Sequence, residues 1–378
     1  MHDFVLKEIV NTDIETELEL IGFDKTYTGK AKDKFEYKNF KIFNLTPAQA
    51  NIIKQSAISV GADCGTHREV ITGKIETSNA ILGGSFSQLK KISDKLQLQP
   101  FGLKNLGKLL EEKITLKQPV KTKIMGILNI TKNSFSDGGK YYKLEDSIKH
   151  LHQLIDDGAD IIDIGAESTK PYSNAIPAQE QLEKLIPVLE YLKTIPHPPI
   201  SIDTRSSDVA AKCIELGADI INDVSGFDYD PKLADLIAHS PDTKIILQHS
   251  QGNPENMQDS PYYENIMDEI YLNLKSKTDF ATSKGIKKEN IIIDPGIGFG
   301  KTKEHNLEIL KRWQELKLLG CPVLIGLSRK RFLDMSDAPN EEKDIYSLAF
   351  GSILMNEGLD IIRVHNVKLH KNFQKISG

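Results

Sequence analysis

The sequence predicts an α/β fold, a (β/α)8 TIM barrel preceded by a small α+β N-terminal domain. Three observations carry that prediction. Eight short runs rich in Ile, Val and Leu recur after about residue 120, helix-like segments lie between them, and the eight units fill roughly 255 residues, close to the ~250 typical of such a barrel. A doubly wound sheet is the alternative; it usually has fewer strands and a GxGxxG loop after its first strand, and none follows Ile130.

In order, the runs are KIMGILNI (123–130), DIIDIGA (160–166), PISIDT (199–204), DIINDV (219–224), KIILQHS (244–250), IIIDPGI (291–297), PVLIGLS (322–328) and IIRVHN (361–366). Their apolar content is continuous rather than alternating. Parallel strands covered on both faces have that signature. LEDSIKHLHQLIDDGA (144–159), SSDVAAKCIELGA (206–218) and EHNLEILKRWQELKLLG (304–320) read as amphipathic helices, each with a Gly at or near its end to stop it before the next strand.

The first part of the chain follows other rules. LELIGFDKTY (18–27) and FEYKNFKIFNL (35–45) look strand-like, whereas TPAQANIIKQSAISVG (46–61) and SQLKKISDKLQ (87–97) look helical. The charged stretch KLLEEKITLKQPVKTK (108–123) reads as the boundary, giving domains at 1–115 and 116–378. Cys64, His67 and Glu69 in DCGTHRE are three ligand types close together, yet such a grouping in a cytosolic loop is usually incidental. The expected role of this domain is an interface or scaffold.

Composition excludes several functions. The chain has 378 residues, 39% hydrophobic and 27% charged, with a formal net charge of -5, so no basic face is available for general nucleic-acid binding. Any anion site must be local. Cys64, Cys213 and Cys321 form no CxxC pair, and no apolar run approaches the ~20 residues of a membrane span. The N-terminus, MHDFVLKEIVNTDIETE, lacks a signal-peptide pattern. The expectation is a cytoplasmic protein that binds neither nucleic acid nor membrane.

Barrel enzymes draw their active sites from the C-terminal ends of the strands. Those ends carry Asn129 with the NSFSDGG loop, Glu167 to Lys170, Asp203, Asn222 or Asp223, Gln248 with His249, Asp294, Ser328 to Arg331, and Arg363 with His365. Asp203 and Asp294 interrupt apolar runs from inside, where a carboxylate costs several kcal/mol unless it has a partner. Asp163, in mid-strand, and Asp223, beside Asn222, read as structural. Arg363 and His365 alternate and so share a face, and Lys330 ends the seventh strand, near the usual barrel phosphate site. Convergent acids suit a ligand rich in N–H donors, and the cations suit an anionic tail; the competing reading pairs acids and cations with each other as structure.

The stretches MGILNITKNSFSDGG, IIDIGAEST, SIDT, INDVSG, HSQGNPENMQ, DPGIGFGKT, IGLSRK and IIRVHNV, in that order, resemble dihydropteroate synthase of the folate pathway over roughly residues 120 to 370. The resemblance implies condensation of 7,8-dihydropterin-6-ylmethyl diphosphate with 4-aminobenzoate, giving 7,8-dihydropteroate and pyrophosphate, with Mg2+ as cofactor. Asp294, Asp203 and Asn222 would bind the pterin ring, and Lys330 its carbonyl and a ring nitrogen. Arg363 and His365 would hold the diphosphate, with Asn129 placing the magnesium. Thr169 and Lys170 would lie near the substrates, Phe299 would pack on the aminobenzoate ring, and Arg331 would stand near its carboxylate.

Asp137, Lys330 and Asp203 are the expected catalytic residues of a dissociative, SN1-like displacement. Carboxylates would favour the pterin cation, while Arg, His and Mg2+ would favour the departing diphosphate. The NSFSDGG loop, with Phe135 and Asp137, would serve as a lid. A homodimer is the expected assembly. Lys132, Asn133, Ala166, Lys170, Gln248 and Arg331 depart from residues frequent in the family, without removing a charge from this scheme. Two further readings compete: a pterin-binding methyltransferase barrel, which would have no use for diphosphate-binding Arg363 and His365, and a non-catalytic barrel.

Overall fold

The computed structural model describes residues 7, 13–114, 121–130, 140–167, 176–251, 261–333 and 338–377, with backbone alone at 140–143 and 331. The chain divides into two compact units, Met1–Gln118 and Pro119–Gly378. The boundary expected at 115/116 falls in a stretch outside the described residues.

The N-terminal unit runs α1 (Ile14–Leu20), α2 (Thr28–Lys32), β1 (Tyr37–Leu45), α3 (Pro47–Ile58), β2 (Asp63–Thr66), β3 (Ser78–Ser85), α4 (Phe86–Gln97) and α5 (Leu103–Ile114). Its sheet has the order β1-β3-β2, antiparallel throughout. Capping boxes at Thr46/Gln49 and Ser85/Gln88 satisfy the first amides of α3 and α4. Ile53, Leu82, Leu89, Ile92 and Leu96 make its core. Gly107 lets α5 close on α4, because a Cβ there would meet Ser93 O at 2.8 Å.

One expectation fails in this unit. LELIGFDKTY is not a strand: Asp13 accepts from Glu15 N at 3.2 Å and Thr16 Oγ1 at 3.1 Å, and this cap starts α1 instead. KLLEEKI belongs to α5, whose Leu103, Leu110 and Ile114 are buried. The DCGTHRE residues have local duties. Cys64 is a buried β2 residue, and His67 Nδ1 accepts from Glu69 N at 3.2 Å, capping a short 3-10 turn.

The second unit alternates strand and helix: β4 (Lys123–Asn129), α6 (Lys140–Asp156), β5 (Ile161–Gly165), α7 (Ala178–Leu192), β6 (Ile200–Asp203), α8 (Ser207–Glu215), β7 (Ile220–Asp223) and α9 (Lys232–Ala238). It continues through β8 (Lys244–Gln248), α10 (Ile266–Ser283), β9 (Ile291–Asp294), α11 (Lys303–Arg312), β10 (Leu324–Gly326), α12 (Asn340–Asn356), β11 (Ile361–Val364) and α13 (Val367–Ser377). The eight strands are parallel in the order β10-β11-β4-β5-β6-β7-β8-β9, and a parallel bridge from Ile293 to Val323 closes the barrel. The helix expected over 304–320 changes after Arg312 into a 3-10 segment, Trp313–Leu319. There the fully buried Trp313 donates Nε1 to Glu357 Oε2 at 2.8 Å.

A repeated Asp-Ile-Ile fixes strand starts at the N-terminal end of the barrel. Asp160 accepts from Ile124 N at 2.7 Å, Asp219 from Ile200 N at 2.7 Å and Asp360 from Val323 N at 2.9 Å. In each case the Asp before one strand satisfies an amide at the start of its neighbour, which that neighbour's own ladder leaves open.

Candidate active site

Inside the barrel, Met125, Ile161, Ile220, Ile246, Ile292, Leu324 and Ile361 form an apolar cluster separate from the larger core between strands and helices. Side chains two residues apart on a strand point the same way. One step beyond that floor, toward the C-terminal end, the same strands therefore present Asp163, Asn222, Gln248, Asp294 and Arg363. On β6 the corresponding face carries Ser201 and Asp203, both buried. A dry floor under a polar layer is thus written into the strands by alternation.

Arg363 organises the acids. Its Nε donates to Asp163 Oδ2 at 2.6 Å and its Nη2 to Asp203 Oδ2 at 3.0 Å, while Asn222 Nδ2 donates to Asp163 Oδ2 at 3.1 Å. Two carboxylates face one guanidinium, so one negative charge is in excess. Burial, reinforced by Asp163 and opposed by Arg363, pushes Asp203 up to about 7. Burial works against the charge on Arg363 as well, but Asp163 and Asp203 hold its pKa above the ordinary value. Asp163 Oδ1, Asp203 Oδ1 and Ser201 Oγ are buried without a hydrogen-bond partner among the described residues. Buried acceptors left open in this way are a ready match for ligand N–H groups.

Asp294 and Lys330 form the other half of the site. Asp294 Oδ1 accepts from Gly296 N at 2.7 Å, and burial raises its pKa despite the opposing field of Lys330. Lys330 donates Nζ to Ile297 O and stands 4.7 Å from the centre of the Phe299 ring, a cation–π arrangement. Burial brings its pKa down to about 8, with Asp294 limiting the fall. The segment between them, PGIGFG, turns sharply, with φ of 67° at Gly296, 80° at Gly298 and 60° at Gly300. A Cβ at Gly296 would lie 1.9 Å from His249 O, so this loop lies against the end of β8 at a distance only glycine permits.

His365 is neutral, contrary to its expected part among the cations. Burial, with repulsion from Arg329 and Arg363, takes its pKa down to about 3. Ser328 Oγ accepts from His365 N at 3.2 Å and lies 3.0 Å from Nδ1. That contact fixes the orientation of the ring, with the hydroxyl able to give or receive at Nδ1. Arg329, between Ser328 and Lys330, holds a φ of 56° and makes a bidentate ion pair with Asp344 of α12, both bonds 2.8 Å.

The expected residues Asp203, Asn222, Asp294, Lys330, Arg363 and His365 therefore gather at one end of the barrel. Asn129 ends β4 exposed, with its Oδ1 over Gly165, 3.3 Å from where a Cβ would stand. Phe299 is half-buried under Lys330. Asp137, Thr169, Lys170 and the Phe135 lid lie outside the described residues, as does the side chain of Arg331. Asp223 is structural as expected, accepting from Ser225 N at 2.8 Å and Phe227 N at 2.6 Å. Asp163 is more than that. It shares Arg363 with Asp203, and its place on the same face as Ile161 and Gly165 was the available signal. Lys301, buried beside His249, was not singled out in the sequence and has three polar contacts.

A family model described as pterin binding enzyme matches residues 125–365. Dihydropteroate synthase from Clostridium beijerinckii is 41% identical over 249 residues, covering 65% of this chain and 90% of that protein. A probable bifunctional folylpolyglutamate synthase/dihydropteroate synthase from Haloferax volcanii is 31% identical over 343 residues. That match takes in 84% of this chain, more than the barrel unit can supply, but the chain spans only 40% of the relative's length. Among solved structures, dihydropteroate synthase from Clostridium difficile, in the presence of pteroic acid, superposes with a TM-score of 0.64 at 38% identity, covering 70% of this chain and 98% of that one. With these matches and the site just described, the chain belongs to the dihydropteroate synthase family of pterin-binding enzymes.

Proposed function

We propose that the protein condenses 7,8-dihydropterin-6-ylmethyl diphosphate with 4-aminobenzoate to give 7,8-dihydropteroate and pyrophosphate. The observation that carries this reading is the buried acceptor layer, with Asp163 Oδ1 and Asp203 Oδ1 open among the described residues and Arg363 beside them. A pterin offers several N–H donors in one plane, which such a layer would pair. Asp294, Asp203 and Asn222 bind the ring, and Lys330 meets its carbonyl and a ring nitrogen. Phe299 and Arg331 receive the aminobenzoate, with Thr169 and Lys170 near both substrates.

The displacement runs in the dissociative, SN1-like sense. The methylene C–O bond breaks with its electron pair going to the diphosphate, the aminobenzoate nitrogen then forms the C–N bond, and its proton leaves to solvent or pyrophosphate. Asp203 and Asp137 stabilise the pterin cation as it forms. Arg363, already tied to two carboxylates, offers the diphosphate only its remaining N–H groups, and neutral His365 offers a ring hydrogen bond rather than a positive charge.

Mg2+ fits this donor set on one condition. Asn129 supplies one neutral oxygen, and no cluster of three His, Cys, Asp or Glu side chains suited to a metal occurs among the described residues. An ion that keeps its waters and rides in on phosphate oxygens needs no more than that. When bound, it would neutralise charge on the leaving diphosphate.

Assembly and compartment belong to the same reading. Ile345 and Ile353 on α12 are 59% and 55% exposed, with exposed Ala349 between them at helical spacing, and this stripe supports a homodimer. Among the described residues, no helix is long and apolar enough to cross a membrane. Buried, reduced Cys64 and Cys213 support a cytoplasmic setting.

The deciding experiment measures pyrophosphate release with and without 4-aminobenzoate. Release that depends on the amine is expected. Intact pterin binding with no release would sink this reading and favour a methyltransferase-type barrel.

A further inference from the structure

Lys301 has no part in the scheme above, yet it is one of the most buried charged residues in the barrel, at 3% exposure. Its Nζ lies 3.0 Å from His249 Nδ1, 3.3 Å from His249 O and 2.9 Å from Phe299 O. Two backbone carbonyls accept from this nitrogen, and the His249 imidazole fills its third side. All belong to the seam between the end of β8 and the loop after β9. Burial depresses the pKa of Lys301 well below its ordinary value, with Asp294 opposing and Lys330 and Lys277 adding to the fall.

The loop it grips is also tied at Gly296 N to Asp294 Oδ1 and at Gly298 N to Asn306 Oδ1, both 2.7 Å, and at Ile297 O to Lys330 Nζ, but it is Lys301 that holds the Phe299 carbonyl. Gly296, Gly298 and Gly300 all adopt positive φ, and glycine loses more backbone freedom on ordering than any other residue. A further tie comes from Tyr263, whose hydroxyl donates to Gly300 O at 2.9 Å. Phe299 is the loop's large side chain, and its ring lies under the Lys330 ammonium.

We propose that Lys301 is a positioning residue that pins the Gly296–Gly300 loop onto β8 and so sets the Phe299 ring where it receives the aromatic amine. The inference rests on the synthase reading for its substrate. Lys301 touches no substrate; it acts through the Phe299 carbonyl and His249. Its removal therefore moves the amine's subsite, while the pterin contacts set in the strands, Asp203, Asn222 and Asp294, stay in place.

The test uses the full chain with Lys301→Met, Lys301→Arg, Phe299→Ala and the Lys301→Met/Phe299→Ala pair. Lys301→Met is expected to raise KM for 4-aminobenzoate roughly tenfold to a hundredfold, the usual scale of a misplaced contact, while Kd for the pterin diphosphate changes less than about threefold. Lys301→Arg, which keeps the donors, recovers part of the loss. In the Phe299→Ala background, Lys301→Met adds no further rise. A rise that persists there, or equal losses for both substrates, overturns the proposal. Amide hydrogen exchange gives an independent check. Lys301→Met should speed exchange at residues 296–300 and spare β8, and unchanged exchange also overturns the proposal. If wild type releases no pyrophosphate, the synthase reading fails, whereas the exchange result still decides whether Lys301 pins the loop.

Discussion

Arg363 Nε lies 2.6 Å from Asp163 Oδ2, joining β11 to β5 past the intervening β4. The same oxygen receives Asn222 Nδ2, so one carboxylate ties three strands together inside the barrel. Asp163 thus has a mechanical part that its mid-strand position alone did not reveal.

Asp163→Ala leaves Arg363 with a single carboxylate and Asn222 Nδ2 without its acceptor. Losing one partner of a buried ion pair costs about 3–5 kcal/mol. Urea unfolding followed by the fluorescence of Trp313, the chain's single tryptophan, reads the barrel unit alone. A loss under about 1 kcal/mol would contradict the tie.

Asp294→Ala removes an acceptor from a desolvated pocket. Affinity for the pterin diphosphate should fall by about 1–3 kcal/mol, because ligand donors are then buried unpaired. Calorimetry returning wild-type affinity would rule out a ring contact by Asp294.

Asp203 has a folded pKa of about 7, above the ordinary 3.8. A raised carboxylate contributes stability that is full below the unfolded value and lost as pH rises through the folded one. Wild type should therefore lose stability relative to Asp203→Asn between roughly pH 4 and pH 7, with a slope no steeper than about 1.4 kcal/mol per pH unit. Parallel stability curves for the two proteins across that range would refute the assignment.

Lys330 carries its charge below about pH 8 and loses it above. Turnover at subsaturating substrate should decline as pH passes 8, and Lys330→Arg, charged throughout, should flatten that limb even with a lower plateau. An alkaline limb that stays at the same pH in Lys330→Arg would assign it to another group.

Arg329 holds a left-handed backbone, costly for a side chain with a Cβ, and its ion pair with Asp344 opposes that cost. Asp344→Ala should destabilise the barrel by about 2–4 kcal/mol. In that background Arg329→Gly should be neutral or stabilising, since glycine accepts the backbone freely. An additive loss in the double variant would mean that the ion pair does not hold the strained turn.

The barrel was legible because each strand lies within a run rich in Ile, Val and Leu, and all eight runs contain the strand that formed. Acids at strand ends were legible for the same reason, as interruptions. Charge states were not: His365 reads as a cation just past β11, and burial, with Arg329 and Arg363 beside it, makes it neutral. Lys301 was invisible because its acceptors are mostly backbone carbonyls, which no side-chain pattern announces. In the N-terminal unit, LELIGFDKTY misled because its Leu and Ile spacing suits either state, and Asp13, five residues upstream, tips it to helix.

The apolar floor of Met125, Ile161, Ile220, Ile246, Ile292, Leu324 and Ile361 has a consequence for traffic. It makes the barrel a room with one door. Whatever rests on Asp203 and Asn222, set in the strands, enters from the end where Phe299 stands on the loop after β9.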